Sequence, residues 1–189
     1  MQDPEGLMAE MGGRDRFLKN LDGLFSQPEQ VEGMGFALDA TGLVGQYAHG
    51  NEPSHHTAYL FTLAGRPDRT ADIVREVCDR FYRPEPEGLC GNDDCGQMSA
   101  WYLFSAMGFY PVNPCGGDYV IGAPQLPKVT LHSSPSSSPS FTIIAKNLSK
   151  KNKYVKSVML NGKKITDWKI PHADIVKGGE LVFDMKGTE

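Results

Sequence analysis

"GQMSAWYLFSAMGFYPVNPCGGDYVIG", residues 96–122, contains the change of pattern on which the fold turns. The first half, "GQMSAWYLFSAMG", is apolar on almost every side, which is the composition of a largely buried helix, and Gly108 and Pro111 stop it. The end, "DYVIG", is short, β-branched and aromatic, as a strand is. Upstream of this stretch the chain reads as helix and loop. Downstream it reads as short strands.

On the upstream side, "RPDRTADIVREVCDRFY" is an amphipathic helix with Ile73, Val74, Val77, Cys78 and Phe81 on its apolar face. Pro67 stands near its start, where a missing N–H does no harm. "PSHHTAYLFTLAG" predicts another helix, capped by Ser54 and ended by Gly65. The glycine-rich tract over residues 26–50 predicts a long loop with at most short helices. "RDRFLKNLDGLF" puts Phe17, Leu18, Leu21, Leu24 and Phe25 on one helical stripe. On the downstream side, "DYVIG", "KVTLH", "SFTIIAK", "YVKSVMLNG", "KKITDWKI" and "ELVFDM" predict strands. Asn161 and Gly162 between two of these runs signal a hairpin, because both turn positions need positive φ. "SSPSSSPS", residues 133–140, reads as a solvated loop, and Trp168 and Phe183 read as core. There is no internal repeat.

The expected class is therefore α+β, with a helical part over residues 1–115 and a β-rich part over residues 116–189. The helices need other helices to cover their apolar faces, and polar opening residues lead straight into the first of them. The sequence thus reads as a piece of a larger protein.

Of its 189 residues, 40% are hydrophobic and 22% charged, a soluble globular composition on a chain long enough for a sizeable core. A net charge of −4 and a pI of about 5.7 argue against nucleic acid or an anionic membrane as partner, since both need a basic field. No apolar run reaches transmembrane length. The start, "MQDPEGLMAEMGG", lacks the basic-then-apolar order of a signal peptide. Cys78, Cys90, Cys95 and Cys115 lack paired CxxC spacing, which leaves isolated thiols or a Cys90–Cys95 loop disulfide.

Two polar loops carry the chemistry. "HGNEPSHH", residues 49–56, holds three of the five histidines with Asn51 and Glu52. Glu52 stands where a helix begins, and a helix dipole favours an ionised carboxylate there. Glu52 and His55 are three apart and can face one point. His49, Glu52 and His55 could bind a metal, but the H-x-x-E-x-x-H spacing with a proline inside is not the HExxH of zinc proteases. A polar ligand site built on Glu52 and, behind it, a capped helix with backbone-bonded histidines remain open. The second loop, "GNDDCG", residues 91–96, has Asp93 and Asp94 preceded by Asn92 and flanked by glycines. Such residues cap helices, hold a hard cation, or serve as a general base toward water. If the two helix starts share a rim, Glu52, Asp93 and Asp94 with nearby Tyr47, Trp101 and Tyr102 suit a sugar. Paired carboxylates across a glycosidic bond are the core of glycoside hydrolysis.

"GLVGQYAHGNEPSHHTAYLF" and "GLCGNDDCGQMSAWYLFSAMGFYPVNPCGGDYVIGAPQLPKV" closely resemble glycoside hydrolase family 92, the calcium-dependent exo-acting α-mannosidases. "DPEGLMAEMGGRDRFLKNLDGLF" and "NGKKITDW" with "IPHADIVKGGELVFDM" extend the resemblance over nearly the whole chain. It implies an N-terminal β-sandwich followed by a catalytic (α/α)6 barrel, so that residues 1–115 would be the last barrel helices. It implies removal of terminal mannose from glycans, commonly α-1,2-linked, with inversion at the anomeric carbon. The two carboxyls of such a mechanism stand about 6.5–9.5 Å apart to leave room for water. Calcium would bind the mannose O2 and O3 and help distort the ring. Asp94 matches the general base, with Asp93 beside it in the catalytic stretch. Asn92 matches a position that is acidic in some members, so its role reduces to hydrogen bonding. Asn51 and Glu52 match the stretch lining the calcium and the sugar, with His49 and His55 as further substrate contacts. The general acid would lie upstream of residue 1, together with the N-terminal part of the same polypeptide. The parent would then be an exported mannosidase, periplasmic or secreted, and this piece alone would be inactive. The competing expectations are a carbohydrate-binding module without catalysis and a metal hydrolase built on His49, Glu52 and His55.

Overall fold

The computed structural model describes residues 3–30, 40–132 and 139–188. Most of the serine-rich loop expected at residues 133–140, and part of the tract over residues 26–50, lie outside them. Helix α1 (Pro4–Glu10) begins the described chain, where the sequence pattern is too short to predict a helix. Asp3 makes it: its carboxylate accepts the Gly6 N–H at 2.8 Å, and Pro4 starts the first turn. Helix α2 (Arg14–Ser26) follows and buries Phe17, Leu21 and Phe25, the spine of the expected stripe. The glycine-rich tract contains an unexpected small hairpin, β1 (Leu43–Val44) with β2 (Tyr47–Ala48).

The helix expected from Ser54 to Gly65 is broken up. Residues Glu52–Ser54 and Thr57–Tyr59 form separate 3-10 turns, and only α3 (Leu60–Leu63) is α-helical. Ser54 does not cap: its hydroxyl lies 2.7 Å from both the Ala48 and the Asn51 carbonyl, which share its one hydrogen. A serine that bonds backward in this way offers the backbone an alternative to the helix. Helix α4 (Pro67–Phe81) runs as expected, with Ile73, Val74, Val77 and Cys78 buried. Thr70 on its inner face donates to the Ala58 carbonyl at 2.8 Å and so ties α4 to the turns before α3. Helix α5 (Gln97–Met107) ends at Gly108, which takes φ 100° and donates to the Phe104 and Ser105 carbonyls. A Cβ at this glycine would lie 2.9 Å from the Phe183 ring and 3.0 Å from Pro124, so the helix stop and a close approach of the β-rich part require the same residue.

Strands β3 (Phe109–Tyr110), β4 (Asp118–Ile121) and β9 (Lys169–Pro171) make one antiparallel sheet. The other contains β5 (Lys128–Leu131), β6 (Phe141–Lys146), β7 (Tyr154–Leu160), β8 (Lys163–Lys164) and β10 (Gly179–Lys186), in the order β5-β6-β10-β7-β8. Among the described residues only β6 and β10 pair in parallel; a short helix, α6 (His172–Val176), lies in the crossover between them. The expected hairpin turn joins β7 to β8, with Asn161 at φ 49° and Gly162 at φ 78°. "KKITDWKI" is not one strand. It divides between β8 and β9, in different sheets, and Trp168 at φ 58° marks the break.

The fold is α+β, and its two halves interlock. One core gathers α2, α3 and α4 around Trp101, and the other fills the five-stranded sheet around Phe183. The three-stranded sheet is their common wall. Tyr110 and Val120 enter the helical core, whereas their chain neighbours Phe109 and Ile121 enter the sheet core, because successive strand side chains point to opposite faces. Phe183 lies buried as expected, and Trp168 is half-buried against the same core. All four cysteines are free thiols, so Cys90 and Cys95 form no loop disulfide.

Candidate active site

The two polar loops meet. Gly91 lies so close to the other loop that a Cβ on it would stand 3.5 Å from the Gly50 Cα. Beneath this contact His49 and His55 of the first loop face inward. His49 is fully buried, its ring stacked on His55 at 4.6 Å and edge-on to Trp101 at 4.3 Å. Its Nδ1 lies 2.8 Å from the Tyr47 hydroxyl and its Nε2 lies 2.7 Å from the Tyr82 hydroxyl. Tyr82 in turn donates its single hydroxyl hydrogen to the Met98 carbonyl at 3.0 Å. It can therefore only accept from His49, so His49 carries its proton on Nε2 and accepts from Tyr47 on Nδ1. The same logic fixes His55, also buried. Its Nε2 lies 3.0 Å from the His49 carbonyl, which only accepts, so Nδ1 takes the Gln97 amide at 3.2 Å. Gln97 also donates to the Tyr110 hydroxyl at 3.2 Å, and the Trp101 indole N–H donates to the His55 carbonyl at 3.0 Å.

These contacts place the expected site residues in two layers. Asn51, Asn92, Asp93 and Asp94 are exposed and Glu52 is half-buried, whereas His49 and His55 lie behind them with both ring nitrogens engaged. Tyr47 and Trp101 are also inside, with no face free for a sugar, because they pack the histidine layer. Tyr102 is half-buried and stacks on Tyr82 at 4.9 Å. Asp93 caps α5: its carboxylate accepts the Ser99 N–H at 2.9 Å, and its carbonyl accepts from Gly96 and Met98. Asp94, Cys95 and Gly96 then follow in the left-handed region at φ 45°, 58° and 91°. Left-handed backbone at consecutive non-glycine residues is costly and persists where the surroundings enforce it. Here Asp93 and α5 enforce it on either side of Asp94. Tyr82, Gln97, Met98 and Tyr110 complete the arrangement, and no spacing in the sequence marks any of them.

Burial sets the electrostatics. It pushes His49 from its ordinary 6.5 down to about 3, with the neighbouring His55 adding to the effect, and it pushes His56 down to about 4. It lowers His55 as well, against the opposing pull of the His49 carbonyl. All three are neutral at pH 7. Since their folded values lie below their unfolded ones, the unfolded chain binds more protons between pH 6.5 and 4. Their contribution is therefore complete above about pH 6.5 and is lost as the pH falls, by up to about 1.4 kcal/mol per pH unit for each group. We expect the thermal unfolding midpoint to drop already between pH 6.5 and 5.5, above the range where ordinary carboxylates protonate. A flat midpoint over that interval would contradict buried neutral imidazoles.

The same geometry decides what the loops can hold. A zinc site on His49, Glu52 and His55 needs a ring lone pair from each histidine, and both imidazoles are already saturated. Among the described residues no group of three or more His, Cys, Asp and Glu side chains is arranged to hold a metal. Asn51, exposed, and Glu52, half-buried, carry hard oxygens suited to part of a calcium shell of about 6–8 oxygens but not to all of it.

Comparison with known proteins bears on this geometry. The description "Glycosyl hydrolase family 92 catalytic domain" matches residues 1–187. A family GH92 α-mannosidase from Bacteroides thetaiotaomicron, solved with mannoimidazole, superposes with a TM-score of 0.91 at 42% identity, over 99% of this chain and 24% of that one. A family GH92 inverting mannosidase from Bacteroides thetaiotaomicron VPI-5482 superposes with a TM-score of 0.81 at 38% identity, over 98% of this chain and 26% of that one. An uncharacterized secreted glycosidase of Arthroderma benhamiae is 30% identical over 99% of this chain and 22% of its own length. The chain thus spans about a quarter of the length of the relatives it matches.

Proposed function

This chain belongs to glycosyl hydrolase family 92, and from that premise we propose that it forms part of the active site of an exo-acting α-mannosidase that removes terminal, α-1,2-linked mannose from glycans with inversion. In this reading residues 1–115 are the last helices of an (α/α)6 barrel, and residues 116–189 are a β-rich region behind it. Asp94 is the general base. Its carboxylate takes a proton from the water that attacks the anomeric carbon, on the face opposite the leaving oxygen. Asn92 offers hydrogen bonds to that water or to the sugar, and Asp93 keeps Asp94 in its setting by capping α5. Asn51 and Glu52 would hold the calcium ion, which when bound supplies positive charge to neighbouring sugar hydroxyls. His49 and His55 support the loop from behind. In this reading the proton donor belongs to another part of the longer polypeptide, so the 189-residue chain alone is expected to hydrolyse no mannoside. A place outside the cytoplasm, periplasmic or secreted, fits the secreted relative. Among the described residues no helix is long and apolar enough to cross a membrane.

The observation that carries this reading is the meeting of the two loops at Gly50 and Gly91, over a floor of hydrogen bonds that joins the segment bearing Glu52 to the helix start bearing Asp94. Proton NMR of α-1,2-mannobiose hydrolysis by the full-length enzyme tests it. β-Mannose should appear first, and chelation should abolish turnover until calcium is returned. Initial release of α-mannose would contradict inversion, and turnover indifferent to chelation would contradict the calcium.

A further inference from the structure

We propose that Tyr82 is a positioning residue for the hydrolysis, holding the loop of Asn51 and Glu52 in register with the helix start that carries Asp94; this inference rests on the function proposed above. Tyr82 directly follows α4 and pairs with Leu89 in an isolated bridge, so it closes the base of the excursion that delivers residues 91–96. Its hydroxyl does two things with one oxygen. It gives its hydrogen to the Met98 carbonyl at 3.0 Å and takes the His49 Nε2 hydrogen at 2.7 Å. Met98 lies on the first turn of α5, four residues after Asp94, and His49 lies three residues before Glu52. A single atom therefore links the His49 ring to the α5 backbone, and with them the segments that carry Glu52 and Asp94.

With the phenol's one hydrogen on the Met98 carbonyl, which cannot donate, the Tyr82 oxygen accepts from His49 Nε2. The ring itself is held independently, stacked on Trp101 at 5.9 Å and on Tyr102 at 4.9 Å. The loops also keep a second set of ties, from Gln97 to His55 and from Trp101 to the His55 carbonyl. Replacing Tyr82 with phenylalanine thus keeps the packing and the second ties and removes only the oxygen. What is lost is the setting of one loop against the other, and a displacement of about 1 Å at a reacting centre costs about 10²-fold in rate.

The test uses the full-length enzyme, with active sites counted by titration against a tight-binding mannose-like inhibitor. In Tyr82→Phe, kcat per active site on an α-mannoside is expected to fall about 10- to 100-fold while KM stays within about threefold. A merely structural tyrosine would lower the number of active sites and the unfolding temperature but leave kcat per site unchanged. That result, with the unmodified enzyme active and Asp94→Asn inactive, overturns the inference and leaves the proposed function standing. An unmodified enzyme that hydrolyses no α-mannoside removes the proposed function and this inference with it. If Tyr82→Phe does not fold, the unmodified enzyme labelled with 15N-histidine decides. His49 protonated at Nε2 alone supports the relay, and protonation at Nδ1 overturns it.

Discussion

Replacing Asp94 with asparagine in the full-length enzyme is expected to lower kcat on a terminal α-mannoside by about 10²–10⁴-fold, the usual worth of a general base. Folding should be almost untouched. Asp94 is exposed and sits at φ 45°, a conformation that asparagine tolerates about as well as aspartate. The substitution therefore removes the proton acceptor and nothing else, whereas Asp94→Ala would add a backbone penalty. KM should change little, since the base acts chiefly in the transition state. Matched kinetics and thermal unfolding of the two proteins check both halves. A variant that keeps its rate would show that the base lies elsewhere.

The largest effect on stability is expected from Trp101. Its ring is completely buried beneath the loops, touching His49, His55 and Tyr82, and its N–H holds the His55 carbonyl. Trp101→Ala should cost about 3–5 kcal/mol, because the cavity it opens is ringed by aromatic groups already fixed by hydrogen bonds and cannot collapse around it. For a chain of this size that is a fall on the order of 10 °C in unfolding midpoint. Urea unfolding followed by circular dichroism measures it. A loss below about 1 kcal/mol would mean that the floor under the two loops is not the rigid layer described above.

The site and the fold were legible in the sequence to different depths. Helices α2, α4 and α5 show in the spacing of Phe17, Leu21 and Phe25, of Ile73, Val74 and Val77, and in the apolar run around Trp101. Such periodicity is local and survives any context. Asn161 and Gly162 marked their turn for the same reason. The broken helix after Ser54 was hidden, since it depends on the Ser54 hydroxyl turning back to Ala48, six residues away. The division of "KKITDWKI" was hidden too, because β9 leaves its hairpin to pair with β4, about fifty residues upstream. At the site, the loops bearing Glu52 and Asp94 stand out as polar runs beside glycines and proline. That His49 and His55 would be buried does not stand out. Sequence shows two ionisable rings in a polar loop. Their burial depends on Tyr82 and Gln97, which reach them from the end of α4 and the start of α5 across more than thirty residues of chain.

In the function proposed above, one sugar is gripped by both loops at once. A crystal structure of the full-length enzyme with calcium and a bound mannose-like inhibitor measures this most directly. The expected result is the ion on Asn51 or Glu52 and touching the inhibitor, with the Asp94 carboxylate within hydrogen-bond reach of the anomeric centre or of a single water beside it. An inhibitor seated away from either loop, or one held by the first loop while Asp94 points into bulk solvent, would contradict it.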